Sequence, residues 1–229
     1  MEYMINFIGG EKGGVGKSVV SRLLAQYFID NNIPFKGYDT DRSHQTFLRF
    51  YGDYASSTTV DSYENLDALI ESYDLENPYK LIIDLAAQTN LPLLNWIEES
   101  NVIELCKELN VKIKFWHVMD DSKDSVFILD TLLKTFQDKV DYVIVFNRGR
   151  GSQFSIFESS ATKNLAIQYN ASFMNLNKLH EKTMQKIDNT NSSFWAANHS
   201  STSGLGLLER QRIKVWLNSV YEEFNKLSL

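Results

Sequence analysis

The sequence predicts an α/β fold, a single doubly wound domain over residues 1–229 with a mostly parallel sheet flanked by helices. Three observations carry this. Short runs rich in Ile, Val and Phe alternate with helical patterns of ten or more residues along the chain, which is the pattern of βαβ units. Five of the eleven glycines fall between Gly9 and Gly16, at the first junction of such a run with a helix. No repeat, biased tract or linker-like stretch marks a second domain.

The elements follow in order. Tyr3 to Ile8 is an apolar run closed by Gly9-Gly10, the signature of a buried strand. Ser18 to Asn31 places Val19, Val20, Leu23, Leu24, Tyr27 and Phe28 at helical spacing, so the glycine cluster is a strand-to-helix turn. Strands are expected at Pro34–Tyr38, Tyr79–Leu85, Val111–Met119 and Val140–Phe146, with a weaker one at Ala171–Met174. Helices are expected at Tyr63–Tyr73, Leu91–Leu109, Asp124–Phe136, Phe154–Tyr169 and Leu205–Leu227. The Ser/Asn-rich stretch Asn189–Ser203 reads as a loop, with Trp195 as its anchor in preference to an exposed partner contact.

A chain of 229 residues, 43% hydrophobic, can bury a sizeable core without staples. The lone Cys106, on a helical pattern, reads as core and excludes a disulfide framework or a Cys-rich metal site built from one chain. Met1 to Met4 lacks a basic leader, and no window reaches the roughly 18 apolar residues of a membrane span, so a cytoplasmic setting is expected. The net charge of −6 argues against a nucleic-acid binder that relies on overall positive charge, but its distribution is uneven. Residues 1–146 carry 13 basic against 23 acidic side chains, whereas residues 147–214 carry 9 against 4. His44, His117, His180 and His199 are scattered without metal-ligand spacing.

The chemistry begins at Glu11-Lys12-Gly13-Gly14-Val15-Gly16-Lys17-Ser18. Glycines at a strand-to-helix turn let successive backbone N–H groups face one concavity that holds phosphate oxygens, and the helix N-terminus adds its positive dipole end. Gly13, Gly14, Val15 and Gly16 form that cradle, Lys17 is placed to reach the terminal phosphates, and the Ser18 hydroxyl suits Mg²⁺. Leu81-Ile82-Ile83-Asp84 is an apolar strand ending in an acid, the arrangement that holds water on Mg²⁺.

Lys-Gly-Gly-Val-Gly-Lys-Ser, with Glu11 where a plain Walker A motif has Gly and with Lys12 ahead of the glycines, resembles the deviant Walker A motif of the ParA/MinD ATPases. Asp39-Thr40-Asp41 is similar to that family's Asp-x-Asp switch, although Arg42-Ser43-His44 intervenes before Gln45. Val143 to Asn147 resembles its late strand ending in Asn. The resemblance implies a Mg²⁺-dependent ATPase that forms an ATP-sandwich homodimer and acts as a partition or positioning switch, with slow hydrolysis stimulated by a protein partner. It places a cross-dimer phosphate contact on Lys12, water orientation on Asp41, support of the metal on Asp39 and Asp84, and reading of the adenine edge on Asn147.

Cargo recognition is open at this level. Lys178, Lys182 and Lys186, four apart, would form one basic stripe on a helix and suit nonspecific DNA. The last helix has an apolar stripe from Ile213 to Leu227 but shows Glu222 and Glu223, so core docking is expected rather than a membrane. The competing reading is an ATP-dependent ligase on the same fold, similar to dethiobiotin synthetase, which has no need of a partner-reaching Lys12. A third is an ATP-sensing module without relevant hydrolysis. An iron-sulfur reductase of the nitrogenase-iron-protein kind is excluded by the single cysteine.

Overall fold

Strand alternation sorts the apolar side chains into two cores. In the computed structural model, which describes residues 3–10, 13–72, 78–200, 203–227 and 229, one parallel sheet is ordered β3-β2-β4-β1-β5-β6-β7. The strands are β1 (Tyr3–Gly9), β2 (Phe35–Asp39), β3 (Ala55–Ser57), β4 (Lys80–Asp84), β5 (Val111–Met119), β6 (Asp141–Asn147) and β7 (Ser172–Leu176). Successive side chains of a strand point to opposite faces. Hence Ile5, Phe7, Leu81, Ile83, Ile113, Phe115, Tyr142 and Ile144 enter one core, while Ile8, Ile82, Trp116, Val118, Val143 and Val145 enter the other.

Each core is closed by its own layer of helices. Over the first lie α3 (Tyr63–Glu71), α4 (Asn90–Glu99), α5 (Val102–Glu108), α6 (Lys123–Phe136), α7 (Ser155–Glu158) and α8 (Ala161–Gln168). Over the second lie α1 (Lys17–Asp30), α2 (Thr46–Phe50), α9 (Glu181–Asn189), α10 (Phe194–His199) and α11 (Leu207–Phe224). Full burial of an aromatic or aliphatic side chain contributes about 1.5–3 kcal/mol, and Trp96, Trp116, Phe7, Phe28 and Phe136 are all buried this completely. Asn6, polar and central, is tolerated because its amide donates to the Leu81 carbonyl at 2.9 Å and accepts from the Trp116 indole at 3.0 Å. Cys106 is core, as expected.

Several expectations are corrected. The helix expected at Leu91–Leu109 is two, α4 and α5, because Asn101 adopts φ +50° between them. Phe154–Tyr169 likewise divides into α7 and α8, the second begun by the Ser160 hydroxyl accepting from the Lys163 N–H. Asn189–Ser203 contains α10, capped by Ser193, and the anchor is Phe194, fully buried, whereas the Trp195 side chain is 54% exposed. The expected Tyr63–Tyr73 helix ends at Glu71, and Tyr73 lies outside the described residues. The three-residue β3 and five-residue α2 were not anticipated by the sequence pattern.

The order of strands positions the site. From β1 the chain passes over β4 to reach β2, whereas from β4 it continues on the other side to β5. Connections that diverge in this way leave a crevice at the carboxyl ends of the strands, where open α/β sheets bind ligands.

Candidate functional site

The phosphate loop leaves β1 at this crevice. Gly10 has φ +135°, and an added Cβ would stand 2.4 Å from the Val118 carbonyl oxygen, so the turn requires glycine. Gly16 has φ +108°, and a Cβ there would stand 2.4 Å from Nδ2 of Asn147. Val15 is buried between them, and α1 begins at Lys17 with the Gly16 carbonyl accepting from the N–H groups of Val19 and Val20. Glu11 and Lys12 lie outside the described residues.

Four charged groups meet beside the loop. Asp39 and Asp84 are paired neighbours at the ends of β2 and β4. Both are buried; Asp84 bonds to the Ser18 hydroxyl, while the Ser21 hydroxyl donates to the Lys17 carbonyl at 3.3 Å. Burial pushes the Asp84 carboxyl up to about 7, the Ser18 bond pulls it down, and the Asp39 charge adds to the rise. Its Oδ1 is buried without a hydrogen-bond partner. Burial pulls the Lys17 ammonium below its ordinary range, while the carboxylates of Asp84 and Asp41 oppose that pull. Lys17 therefore lies within the electrostatic reach of both acids.

Asp39 and Asp41 are held differently. Asp39 Oδ1 accepts from the Asp41 N–H and Oδ2 from the Leu48 N–H, each at 3.0 Å, so Asp39 caps α2 from outside the helix. Burial raises its carboxyl, with those backbone donors opposing. Asp41 is more open: burial pushes it up, but the N–H groups of Ser43 and His44 and the His44 side chain hold it below the usual carboxylate range.

Thr40, between the two acids, joins the loops that follow β2 and β4. Its hydroxyl donates to the Asp84 carbonyl at 3.1 Å and accepts from the Ala86 N–H at 2.8 Å. An Asp-Thr-Asp segment at a strand end was the available signal, since Thr can donate and accept at once.

Asn147 ends β6 against the loop. Its Nδ2 donates to the Val15 carbonyl at 2.7 Å and its Oδ1 accepts from the Gly149 N–H at 2.9 Å. The amide thus braces the loop and keeps one N–H and one lone pair. Beside it a cleft of about 450 Å³ runs between Gly16, Arg150, Lys178, Met184, Asp188 and Trp216. This lies within the range of small-molecule and cofactor pockets, about 300–1,000 Å³. Trp216 holds α11 to the cleft wall through a 2.7 Å hydrogen bond to the Asn177 carbonyl. Nothing in the spacing of residues 176–188 announced that wall.

No protein-family model matches the sequence, and no curated protein does. Solved structures do match in three dimensions. MinD of Aquifex aeolicus superimposes with a TM-score of 0.56 at 12% identity, over 96% of this chain and 97% of that one. The chain has the fold of MinD. A putative plasmid partition protein of Borrelia burgdorferi bound to AMPPNP gives 0.51 at 17% identity, over 99% of both chains. A nucleotide-binding protein of Archaeoglobus fulgidus in complex with ADP gives 0.52 at 14% identity, over 82% of this chain and 86% of that one.

Within this MinD fold the three lysines do not form one helical stripe. Lys178 precedes α9, at the cleft, and pairs with Glu181 at 3.3 Å. Lys186 pairs with Glu209 at 2.8 Å. Of the three, only Lys182 is exposed on α9 without such a pair among the described residues. The α11 stripe of Ile213, Trp216, Leu217, Val220 and Phe224 is buried in the second core, as expected. Among the described residues no helix is long and apolar enough to cross a membrane.

Proposed function

We propose that the chain is a Mg²⁺-dependent ATP hydrolase that works as a switch: ATP closes a sandwich homodimer, and hydrolysis, slow until a protein partner accelerates it, reopens it. The observation that carries this reading is Asp84. A buried carboxylate with an unpartnered oxygen, bonded to the Ser18 hydroxyl and flanked by Asp39 and Lys17, suits a hard divalent cation with phosphates beside it. Ser18 and Asp84 would hold that ion, with Asp39 adding charge behind them. When bound, Mg²⁺ neutralises the β- and γ-phosphate oxygens during transfer.

The chain's own groups supply the remainder. Gly13 to Gly16 present backbone N–H groups to the phosphates and Lys17 reaches between Asp84 and Asp41 to the γ-phosphate. Asp41, ionised and acceptor-only, orients a water for attack on the γ-phosphorus; the bond to the β–γ bridging oxygen breaks, giving ADP and phosphate. The adenine lies in the cleft at Asn147, read by the amide N–H and lone pair left over from bracing the loop. Lys12, from the partner copy, stabilises charge growing at the bridge.

The nucleotide-bound and partition-related neighbours support a partitioning or positioning role for plasmid, chromosome or protein cargo. Nonspecific DNA contact would rest on Lys182 with help from Arg150 and Lys178 near the cleft. The test is the Asp41→Ala protein with ATP and Mg²⁺ in light scattering: it should persist as a dimer of the 26.4 kDa chain. A monomer under those conditions refutes the assignment of Asp41 to the water.

A further inference from the structure

The loop between β2 and α2 carries a side chain that the switch motif does not account for. Asp41 Oδ1 accepts from the N–H groups of Ser43 at 2.8 Å and His44 at 3.1 Å. Two donors on one oxygen fix a point, and the carboxylate plane can still pivot about it. The other oxygen, Oδ2, stands 3.3 Å from His44 Nδ1. An ionised carboxylate only accepts, so Nδ1 is the protonated ring nitrogen. This third bond stops the pivot and sets the direction of the remaining Oδ2 lone pair.

That lone pair matters because of what lies around it. Lys17 interacts with Asp41, so the carboxylate is close to the phosphate loop. Asp41 and His44 both line a cleft of about 360 Å³ with Thr40, Ala86 and Thr89, against the other switch loop. Arg42, the nearest cation in sequence, is turned away to Asp61 at 3.1 Å and does not compete for Asp41. The imidazole makes no other hydrogen bond among the described residues, and its side chain is 77% exposed, so it holds up no core. An exposed ring whose one bond goes to the water-facing acid has little structural purpose to serve.

We infer that His44 is a positioning residue that aims the Asp41 carboxylate at the attacking water, an inference that rests on the hydrolytic reading above. The experiment is single-turnover ATP hydrolysis with Mg²⁺ by the full chain, its His44→Ala and His44→Asn variants, with ATP affinity measured separately using a fluorescent ATP analogue. Asn puts an amide nitrogen where the ring has Nδ1. His44→Ala should lower the hydrolysis rate at saturating ATP about tenfold, the loss expected for one hydrogen bond to a charged group. Its affinity for the analogue and its melting temperature should not change, and His44→Asn should recover most of the rate. Equal rates for wild type and His44→Ala, equal losses in both variants, or a loss confined to affinity would each overturn the inference while leaving the hydrolase reading intact. A wild-type chain that binds the analogue but hydrolyses no ATP would defeat that reading and this one together.

Discussion

Replacing Asp84 by Asn should make the metal-free, nucleotide-free protein more stable near neutral pH, and the size of the effect follows from burial. The Asp84 carboxyl is raised from its ordinary 3.8 to about 7. A raised carboxyl favours the folded state while protonated; that contribution is complete below pH 3.8 and is lost as pH rises through 7. At about 1.36 kcal/mol per pH unit, the gap corresponds to about 4 kcal/mol of stability forgone at pH 8. Asn is neutral and nearly isosteric, so Asp84→Asn should recover a large part of this at pH 8 and almost none at pH 4. Urea midpoints in EDTA at the two pH values measure it. A variant less stable than wild type at pH 8, or equally shifted at both, would refute the argument that Asp84 is a charge held at a cost for a cation.

Two other predictions concern the lysines. Lys17→Ala should abolish nucleotide binding, because it removes the ammonium that interacts with both Asp84 and Asp41 beside the loop, whereas Lys12→Ala should spare binding and remove dimerisation or hydrolysis; matching phenotypes in a binding and a sedimentation assay would count against a cross-dimer Lys12. Retention of DNA by the ATP-bound protein should fall steeply between low and physiological salt and weaken in Lys182→Ala more than in Lys186→Ala, since Lys186 is already paired with Glu209. The absence of any retention at low salt would remove DNA as a partner.

The sequence made the glycine-rich turn and the strand ends beside it legible because their determinants are local. A strand, a glycine cluster and a helix start lie within Tyr3–Ser18, and Asp84 closes an unbroken apolar strand. What stayed hidden depends on distant partners. The capping acid of α2 is Asp39, on the preceding strand and outside the helix, so α2 carries no cap signature of its own. The break between α4 and α5 comes from one Asn in a left-handed conformation within a continuous apolar pattern. The basic stripe failed because the chain enters α9 only at Glu181 and because Glu209, 23 residues away, takes Lys186. The sequence shows Asn147 as an end-of-strand amide, but not that it braces Val15, 132 residues earlier.

The Thr40 hydroxyl has a consequence for how the molecule would signal. It receives from Ala86 and gives to the Asp84 carbonyl, so the loop after β2 and the loop after β4 share one hinge pin. The two loops are tied to one another by this pin, and the second leads into α4, where Leu91 stands 67% exposed. Under the proposed switch the outer surface would carry a single reading of the nucleotide, and a Thr40→Val chain, shaped alike but without the pin, would give two.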